Sequence, residues 1–295
     1  MGGSYEGASD GRCSNPSGGP MVRPGSPGRD SDPLRLARSV TDDERIGPVG
    51  HYRAGMEPDG AGRYGTAPAR RVGWGIPDAA VAFVLSLVAA SIAVLPFLSH
   101  SKLPKHLEVD ASVASLLAQT GTVIGYLAIA ARKGRGSLTA DFGLRVRVRD
   151  GLWFVVGFVL SIASGLLIAP IVSAGHLSNS SQQVVRLFQQ ARGWETVAFA
   201  FAVLVVAPVG EELLFRGALL RGLLRRTTPT VAIWGSALAF ALVHVILDPG
   251  AGFAVPALLL LGLLSGYRAL RTGDLSQSIF LHAGFNLLAV LQILT

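Results

Sequence analysis

The sequence predicts an all-α fold: a polytopic transmembrane helical bundle of about seven spans, preceded by a disordered N-terminal tail. Half of the 295 residues are apolar, and the mean hydropathy is +0.46. The apolar residues lie in long runs after Trp74, and almost no such run precedes it. Because about 20 helical residues cross the hydrocarbon of a bilayer, each run is long enough for one span.

Seven stretches meet this length criterion. They are residues 76–99, 111–131, 152–175, 195–220, 229–248, 252–271 and 276–294. Several of them offer no polar face, which a helix at the surface of a soluble protein needs. This excludes a soluble helical core and predicts a multi-pass protein of the cell membrane, with the lipid bilayer as its solvent.

The chain divides into two predicted parts, a disordered tail over residues 1–72 and a membrane domain over residues 73–295. The tail is rich in Gly, Pro, Ser, Asp and Arg, with few large apolar residues. Such a segment buries too little surface to offset the entropy of ordering it. The one cysteine, Cys13, excludes an internal disulfide framework and a cysteine-based metal site.

The net charge of +7 comes mainly from basic residues in alternate joints between the spans. They cluster in residues 132–150 and at the ends of the fourth and sixth spans. The positive-inside rule then predicts a cytoplasmic N-terminus. Nucleic-acid binding also uses basic residues, but the strict alternation favours membrane topology, so we expect no nucleic-acid partner.

Two adjacent carboxylates, Glu211 and Glu212, follow fourteen residues without a charge (196–209). Ionised groups in lipid are costly and tend to mark function. Glu212 and Arg216 are four residues apart on a helix and can pair, which lowers the cost of burying both. Glu211 points about 100° away and has no such partner, so it is the better candidate for a general base. The alternative is a structural ion pair of both glutamates with Arg216.

Three further polar residues lie in later spans: His244, His282 and Asn286. A lone His or Asn in a span more often serves helix packing than catalysis. The sequence lacks the His-Glu-x-x-His motif of zinc metalloproteases, a Gly-x-Ser-x-Gly motif and a pair of mid-span aspartates. Since three helices contribute such groups at hydrocarbon depth, we expect one buried polar cluster.

These residues form three motifs in order on successive spans, Glu211-Glu212-x-x-x-Arg216, Phe240-x-x-x-His244 and His282-x-x-x-Asn286. The pattern resembles the CAAX-protease and bacteriocin-processing family (CPBP, or Abi) of intramembrane endopeptidases, which is related to CAAX prenyl endopeptidase type two. The resemblance covers about residues 76–295, and the motif positions show no departure from it.

The resemblance implies an endopeptidase that hydrolyses a peptide bond of a peptide or membrane-associated protein substrate. Glu211 with His244 would activate the attacking water. His282 and Asn286 would donate hydrogen bonds to the developing oxyanion, as fixed donors do in acyl-transfer enzymes.

The same resemblance gives three residues supporting roles. Glu212 and Arg216 would hold the geometry of the site, and Phe240 would pack one turn below His244.

Zinc is the one cofactor that the pattern leaves open. Glu211, His244 and His282 could hold it with an open fourth position, as in a metalloprotease. The same residues can also work as a metal-free, glutamate-based hydrolase. Asn286 and a paired Glu212 suit hydrogen bonding better than ligation, which favours the absence of an obligatory metal.

A non-proteolytic membrane protein, either a transporter or a partner-binding scaffold, is the competing interpretation. Transporters also place ionisable groups near the middle of the membrane. They commonly contain inverted repeats and broken spans, and the sequence displays neither.

Overall fold

The computed structural model describes residues 72–97, 105–174, 191 and 193–291, so the predicted disordered tail lies almost entirely outside the described residues. Every regular element in the described part is helical and none is a strand, which confirms the predicted all-α fold. The helices are α1 (Ile76–Val94), α2 (Lys105–Ala131), α3 (Leu138–Phe142), α4 (Leu152–Ala174), α5 (Trp194–Leu224), α6 (Pro229–Leu247), α7 (Val255–Thr272) and α8 (Ser276–Leu291).

Six of these helices are long and apolar enough to cross a membrane: α1, α2, α4, α5, α6 and α7. The predicted seventh span corresponds to α8, an apolar helix of 16 described residues. At 1.5 Å per residue α8 rises about 24 Å, less than the roughly 30 Å of the hydrocarbon. The chain is therefore a multi-pass membrane protein with six full-length spans and one shorter apolar helix in its described part.

The helix α5 lies at the centre of the bundle. Half of its most apolar window is buried inside the protein, against 17% for the corresponding windows of α1, α2 and α4. Its side chains Leu213 and Leu220 are almost completely buried in the main core, together with Leu261 of α7 and Leu281 of α8. Within the charged motif of α5, Glu212 and Arg216 are therefore completely surrounded by other parts of the protein.

Local signals fix the ends of the helices beside α5. Thr228 caps α6 by accepting a hydrogen bond from the backbone N–H of Val231, and Pro229 occupies the first helical position. Gly273 ends α7 at a φ of 71°, a left-handed conformation that favours glycine. The chain then turns directly into α8, so α7 and α8 lie side by side.

The joint between α2 and α4 is an ordered structure that the sequence analysis missed. Asp141 of the short helix α3 is buried and accepts hydrogen bonds from Trp74 Nε1 (2.8 Å) and from the backbone N–H groups of residues 135–137. Arg221, near the end of α5, donates to the carbonyl oxygen of Asp141 (3.1 Å). This joint therefore ties the end of α5 to the start of α1.

Two glycines allow α4 and α8 to meet backbone to backbone. A Cβ atom at Gly157 would overlap the carbonyl oxygen of Leu281, and one at Gly284 would overlap that of Phe154. Small residues serve this purpose in membrane helices, where close van der Waals packing drives association. The contact fixes α8, which bears two of the candidate site residues, against α4.

Adding one methyl group at this contact tests its role. We expect Gly157→Ala to lower the thermal unfolding temperature of the detergent-solubilised protein by about 5 °C, because the backbone it meets cannot move aside cheaply. Gly165→Ala in the same helix is the matched control, since nothing lies within 4 Å of its added Cβ. Equal unfolding temperatures for the two variants would contradict the close contact.

Candidate active site

The helix α5 widens on both sides of its two glutamates. It is π-helical over Ala202–Val206 and over Leu213–Leu220, and the α-helical turn Ala207–Glu212 lies between. Pro208 gives the physical reason for the first widening, because proline lacks an N–H and its ring clashes with the carbonyl four residues before it. Such π-helical turns occur frequently at functional sites.

Three of the four predicted catalytic residues, Glu211, His244 and His282, meet in the structure. Glu211 Oε2 lies 3.7 Å from His244 Nε2 and 3.7 Å from His282 Nε2. The same oxygen has no hydrogen-bond partner among the described residues. The site thus joins one side chain from each of α5, α6 and α8.

The other nitrogen of each imidazole is held by an acceptor. His244 Nδ1 lies 2.8 Å from the carbonyl oxygen of Phe240, and His282 Nδ1 lies 2.9 Å from Glu212 Oε1. Because a carbonyl and a carboxylate accept, each Nδ1 must be the protonated nitrogen. The Nε2 atoms are therefore the ones that exchange protons, and both face Glu211.

Exposure divides the site into an accessible edge and a buried floor. The side chains of Glu211 and His244 are 30% and 32% exposed. Those of Glu212 and Arg216 are completely buried, and that of His282 is 3% exposed. The edge is thus partly exposed, although the Glu211 Oε2 atom that faces both imidazoles is itself buried, and the floor holds the edge in place.

The floor is built on the ion pair that the spacing of α5 predicts. Arg216 Nη1 donates to Glu212 Oε1 at 3.0 Å, and the same oxygen also accepts from His282. The guanidinium carbon of Arg216 lies 4.4 Å from the ring centroid of Phe240, at the distance of a cation–π contact.

Phe240 contacts both imidazoles as well as Arg216. Its ring centroid is 4.5 Å from that of His244, one turn away as predicted, and 5.5 Å from that of His282 in an edge-to-face arrangement. The ring is fully buried. It therefore fixes the positions of two site residues on two different helices.

Gly262 leaves the room that Arg216 needs. A Cβ at this position would lie 2.9 Å from Ala237 Cβ and 3.3 Å from Arg216 Nη2, both closer than ordinary contact. The contribution of Gly262 to the site is therefore steric.

Asn286 lies on α8 one turn beyond His282, as the spacing predicts. Its Nδ2 donates to the carbonyl oxygen of Val203 at 3.0 Å, in the first π-helical stretch of α5. One of its two amide hydrogens is therefore committed to the protein backbone, and the second is the one available for a substrate.

Thr120 of α2 is a site-supporting residue that sequence reasoning missed. Its hydroxyl donates to the carbonyl oxygen of Val206 at 3.2 Å, also in the first π-helical stretch. A Cβ at Gly210 would lie 2.6 Å from Thr120 Oγ1, so only glycine permits this approach directly before Glu211. Nothing in the sequence marks Thr120 itself. The nearest signal is Pro208, three residues before Glu211, which indicates an irregular helical turn whose carbonyl groups need partners from other helices.

The candidate zinc ligands Glu211, His244 and His282 have the chemistry that zinc prefers. Among the residues that the structure describes, no group of three His, Cys, Asp or Glu side chains is placed to hold a metal ion. Donor atoms that bind one tetrahedral zinc at about 2.0–2.2 Å lie roughly 3.3–3.6 Å from one another, and Glu211 Oε2 lies 3.7 Å from the Nε2 atom of each imidazole. The three side chains would therefore have to close by a few tenths of an ångström to hold zinc.

The fold and the site together define a multi-pass helical membrane protein with a carboxylate–imidazole cluster between its helices. Residues 193–288 match the family model described as "Type II CAAX prenyl endopeptidase Rce1-like". This part of the chain is therefore similar to that family of proteases, which agrees with the resemblance that the three motifs predict. No curated protein and no solved structure matches the chain. The match spans α5 to α8, so all candidate site residues lie within it, whereas the predicted resemblance began at about residue 76.

The buried ion pair should dominate the stability of the site. Arg216→Met leaves Glu212 without its cation in a buried position, and we expect the thermal unfolding temperature to fall by about 10 °C. The double variant Glu212→Gln/Arg216→Met should fall less, because glutamine carries no charge and still accepts from His282. Arg226→Met, at an exposed position after α5, is the control. A drop no larger than that of the control would contradict the importance of the pair.

Proposed function

We propose that this protein is an intramembrane endopeptidase that uses Glu211 and His244 to activate water and His282 with Asn286 to stabilise the oxyanion. The observation that supports this most directly is the position of Glu211 Oε2, 3.7 Å from the Nε2 atoms of both histidines. Two further observations support hydrolysis. Residues 193–288 match a family of proteases, and the side chains of Glu211 and His244 are about one third exposed, which leaves one edge of the site open to a substrate.

In the first step Glu211 and His244 bind the water at the accessible edge. The Glu211 carboxylate takes a proton as the water oxygen attacks the scissile carbonyl carbon, so the carbon–oxygen bond forms as one O–H bond breaks. A carboxylate used in this way contributes roughly 10²–10⁴-fold to the rate. The proton goes to Glu211 Oε2, which has no hydrogen-bond partner among the described residues.

The carbonyl oxygen then becomes an oxyanion, which needs donors fixed in advance. The second N–H of Asn286 supplies one. His282 supplies another only as an imidazolium, because its Nδ1 proton is already donated to Glu212. The buried Glu212 carboxylate stabilises that positive charge, and in a dry floor its effect is stronger than in water.

Collapse of the tetrahedral intermediate breaks the carbon–nitrogen bond. The leaving amine takes the proton that Glu211 received from water, either directly or through His244 Nε2. The products are a carboxylic acid and an amine, and transfer of the acid proton then gives the carboxylate and the ammonium ion, so the atoms of one water molecule are fully accounted for. Peptides and membrane-associated proteins are the substrate class, because the site lies between membrane-spanning helices.

We also propose that the N-terminus lies in the cytoplasm. Arg221 donates to the basic joint at Asp141, and Arg225 stacks on Trp74 with 3.8 Å from its guanidinium carbon to the ring centroid. The basic joint, the end of α5 and the start of α1 therefore share one end of the bundle. A single basic end favours the cytoplasmic side for it.

Replacing Glu211, the proposed base, should greatly lower the rate of turnover without changing the fold. We expect Glu211→Gln to lower kcat for a quenched peptide by about 10³-fold, since an amide cannot take the proton. Glu195→Gln is the matched control, on the same helix and about 24 Å along it, and should keep wild-type activity. If Glu211→Gln cleaves the peptide as fast as Glu195→Gln, the proposed mechanism fails.

Chelation tests the metal-free form of the reaction. We expect 1,10-phenanthroline to leave the cleavage rate of the purified protein within about twofold, because Glu212 and Asn286 are engaged in hydrogen bonds to His282 and Val203, and such a site can work without a metal. Loss of activity that added zinc restores would instead assign Glu211, His244 and His282 to a metal.

A further inference from the structure

The carbonyl oxygen of Val203 receives neither the α-helical nor the π-helical hydrogen bond of its own helix. In an α-helix it would accept from the backbone N–H of Ala207, but that N–H donates to Ala202. The next donor in a π-helical turn would come from residue 208, which is Pro208 and has no N–H. Since Val203 is only 6% exposed, its carbonyl needs a partner from elsewhere in the protein.

Asn286 of α8 is that partner. Its Nδ2 donates to Val203 at 3.0 Å. Val290, one turn further along α8, belongs to the same smaller apolar cluster as Val203. The helices α5 and α8 are thus close together where Asn286 donates to Val203.

A carbonyl acceptor selects one orientation of an amide. Only the NH₂ end of Asn286 can donate to Val203, so the amide cannot flip without leaving that carbonyl unpaired. The second N–H on the same nitrogen then has a fixed direction. Fixed donors stabilise a developing charge without reorganising at the moment of reaction.

We propose that Pro208 is a positioning residue for the reaction. By removing the N–H that would satisfy Val203, it reserves that carbonyl for Asn286 and so orients the amide that donates to the oxyanion. This inference depends on the proposed function, in which Asn286 is that donor. Pro208 itself touches no reacting atom.

The link between Pro208 and Asn286 can be measured without any enzymatic activity. In the otherwise natural full-length protein in detergent, we expect Asn286→Ala to lower the thermal unfolding temperature by about 3 °C. In a Pro208→Ala background the restored N–H satisfies Val203, and the same change should cost less than about 1 °C. Pro208→Gly restores the same N–H and should give the same coupling if Pro208→Ala folds poorly.

The kinetic consequence is specific to kcat. We expect Pro208→Ala to lower kcat for a quenched peptide about tenfold while KM stays within about twofold, since the substrate-binding surface is unchanged and only a donor is misplaced. Asn286→Ala should lower kcat about a hundredfold. The double variant should equal Asn286→Ala alone, because the two residues act through one hydrogen bond.

Pro170→Ala is the matched control. Pro170 also lies inside a membrane helix, about 20 Å along α4 from Gly157, where that helix meets α8. It should leave kcat unchanged and should not couple to Asn286→Ala. If Pro170→Ala lowers kcat and couples to Asn286→Ala as Pro208→Ala does, the effect is a general one of removing a proline from a membrane helix, and the inference fails.

The outcomes separate this inference from the proposed function. An equal thermal cost of Asn286→Ala in both backgrounds overturns the inference, as does a wild-type kcat in Pro208→Ala. A wild-type protein that cleaves no peptide, but whose two residues still couple in thermal unfolding, removes the proposed function and leaves the link between Pro208 and Asn286 intact.

Discussion

One carboxylate oxygen, Glu212 Oε1, is the point on which the site depends. It accepts from Arg216 on its own helix and from His282 on α8. A completely buried carboxylate is tolerated only when partners and hydrogen bonds offset its desolvation, so neither neighbour is free to move. The orientation of His282 follows, because its Nδ1 is held and its Nε2 must then face Glu211. The buried charge of Glu212, which would be costly in lipid, therefore fixes the positions of Arg216 and His282.

The adjacent glutamates do different work because they leave the helix in different directions. Successive residues of a helix are about 100° apart, so Glu212 reaches the buried floor while Glu211 reaches the half-exposed edge. The two π-helical stretches flank this turn. Side chains of α2 and α8, Thr120 and Asn286, reach carbonyl oxygens in the first stretch. The widening of α5 is thus tied to the helices that surround it.

Sequence reasoning reached the fold and the members of the cluster for identifiable reasons. Long apolar runs mark spans because bilayer thickness sets their length, and a four-residue spacing marks the Glu212–Arg216 pair because it sets which side chains share a face. The same reasoning missed Thr120 and the ordered joint around Asp141. Their partners are backbone groups or a residue 67 positions distant, Trp74, and neither leaves a periodic signal. The predicted end of the last span, residue 294, lies outside the described residues, which end at Leu291.

By itself, the sequence determined that this chain is an all-helical membrane protein, and which few polar residues lie inside its spans, because burial in lipid restricts composition and helical geometry restricts spacing. Only the tertiary structure decided which atoms of those residues face one another. The choice of nitrogen on each histidine depends on the acceptors Phe240 and Glu212. The partner of Asn286 depends on a carbonyl that Pro208 leaves unpaired on another helix. These are contacts between distant segments, and they form only when the helices pack.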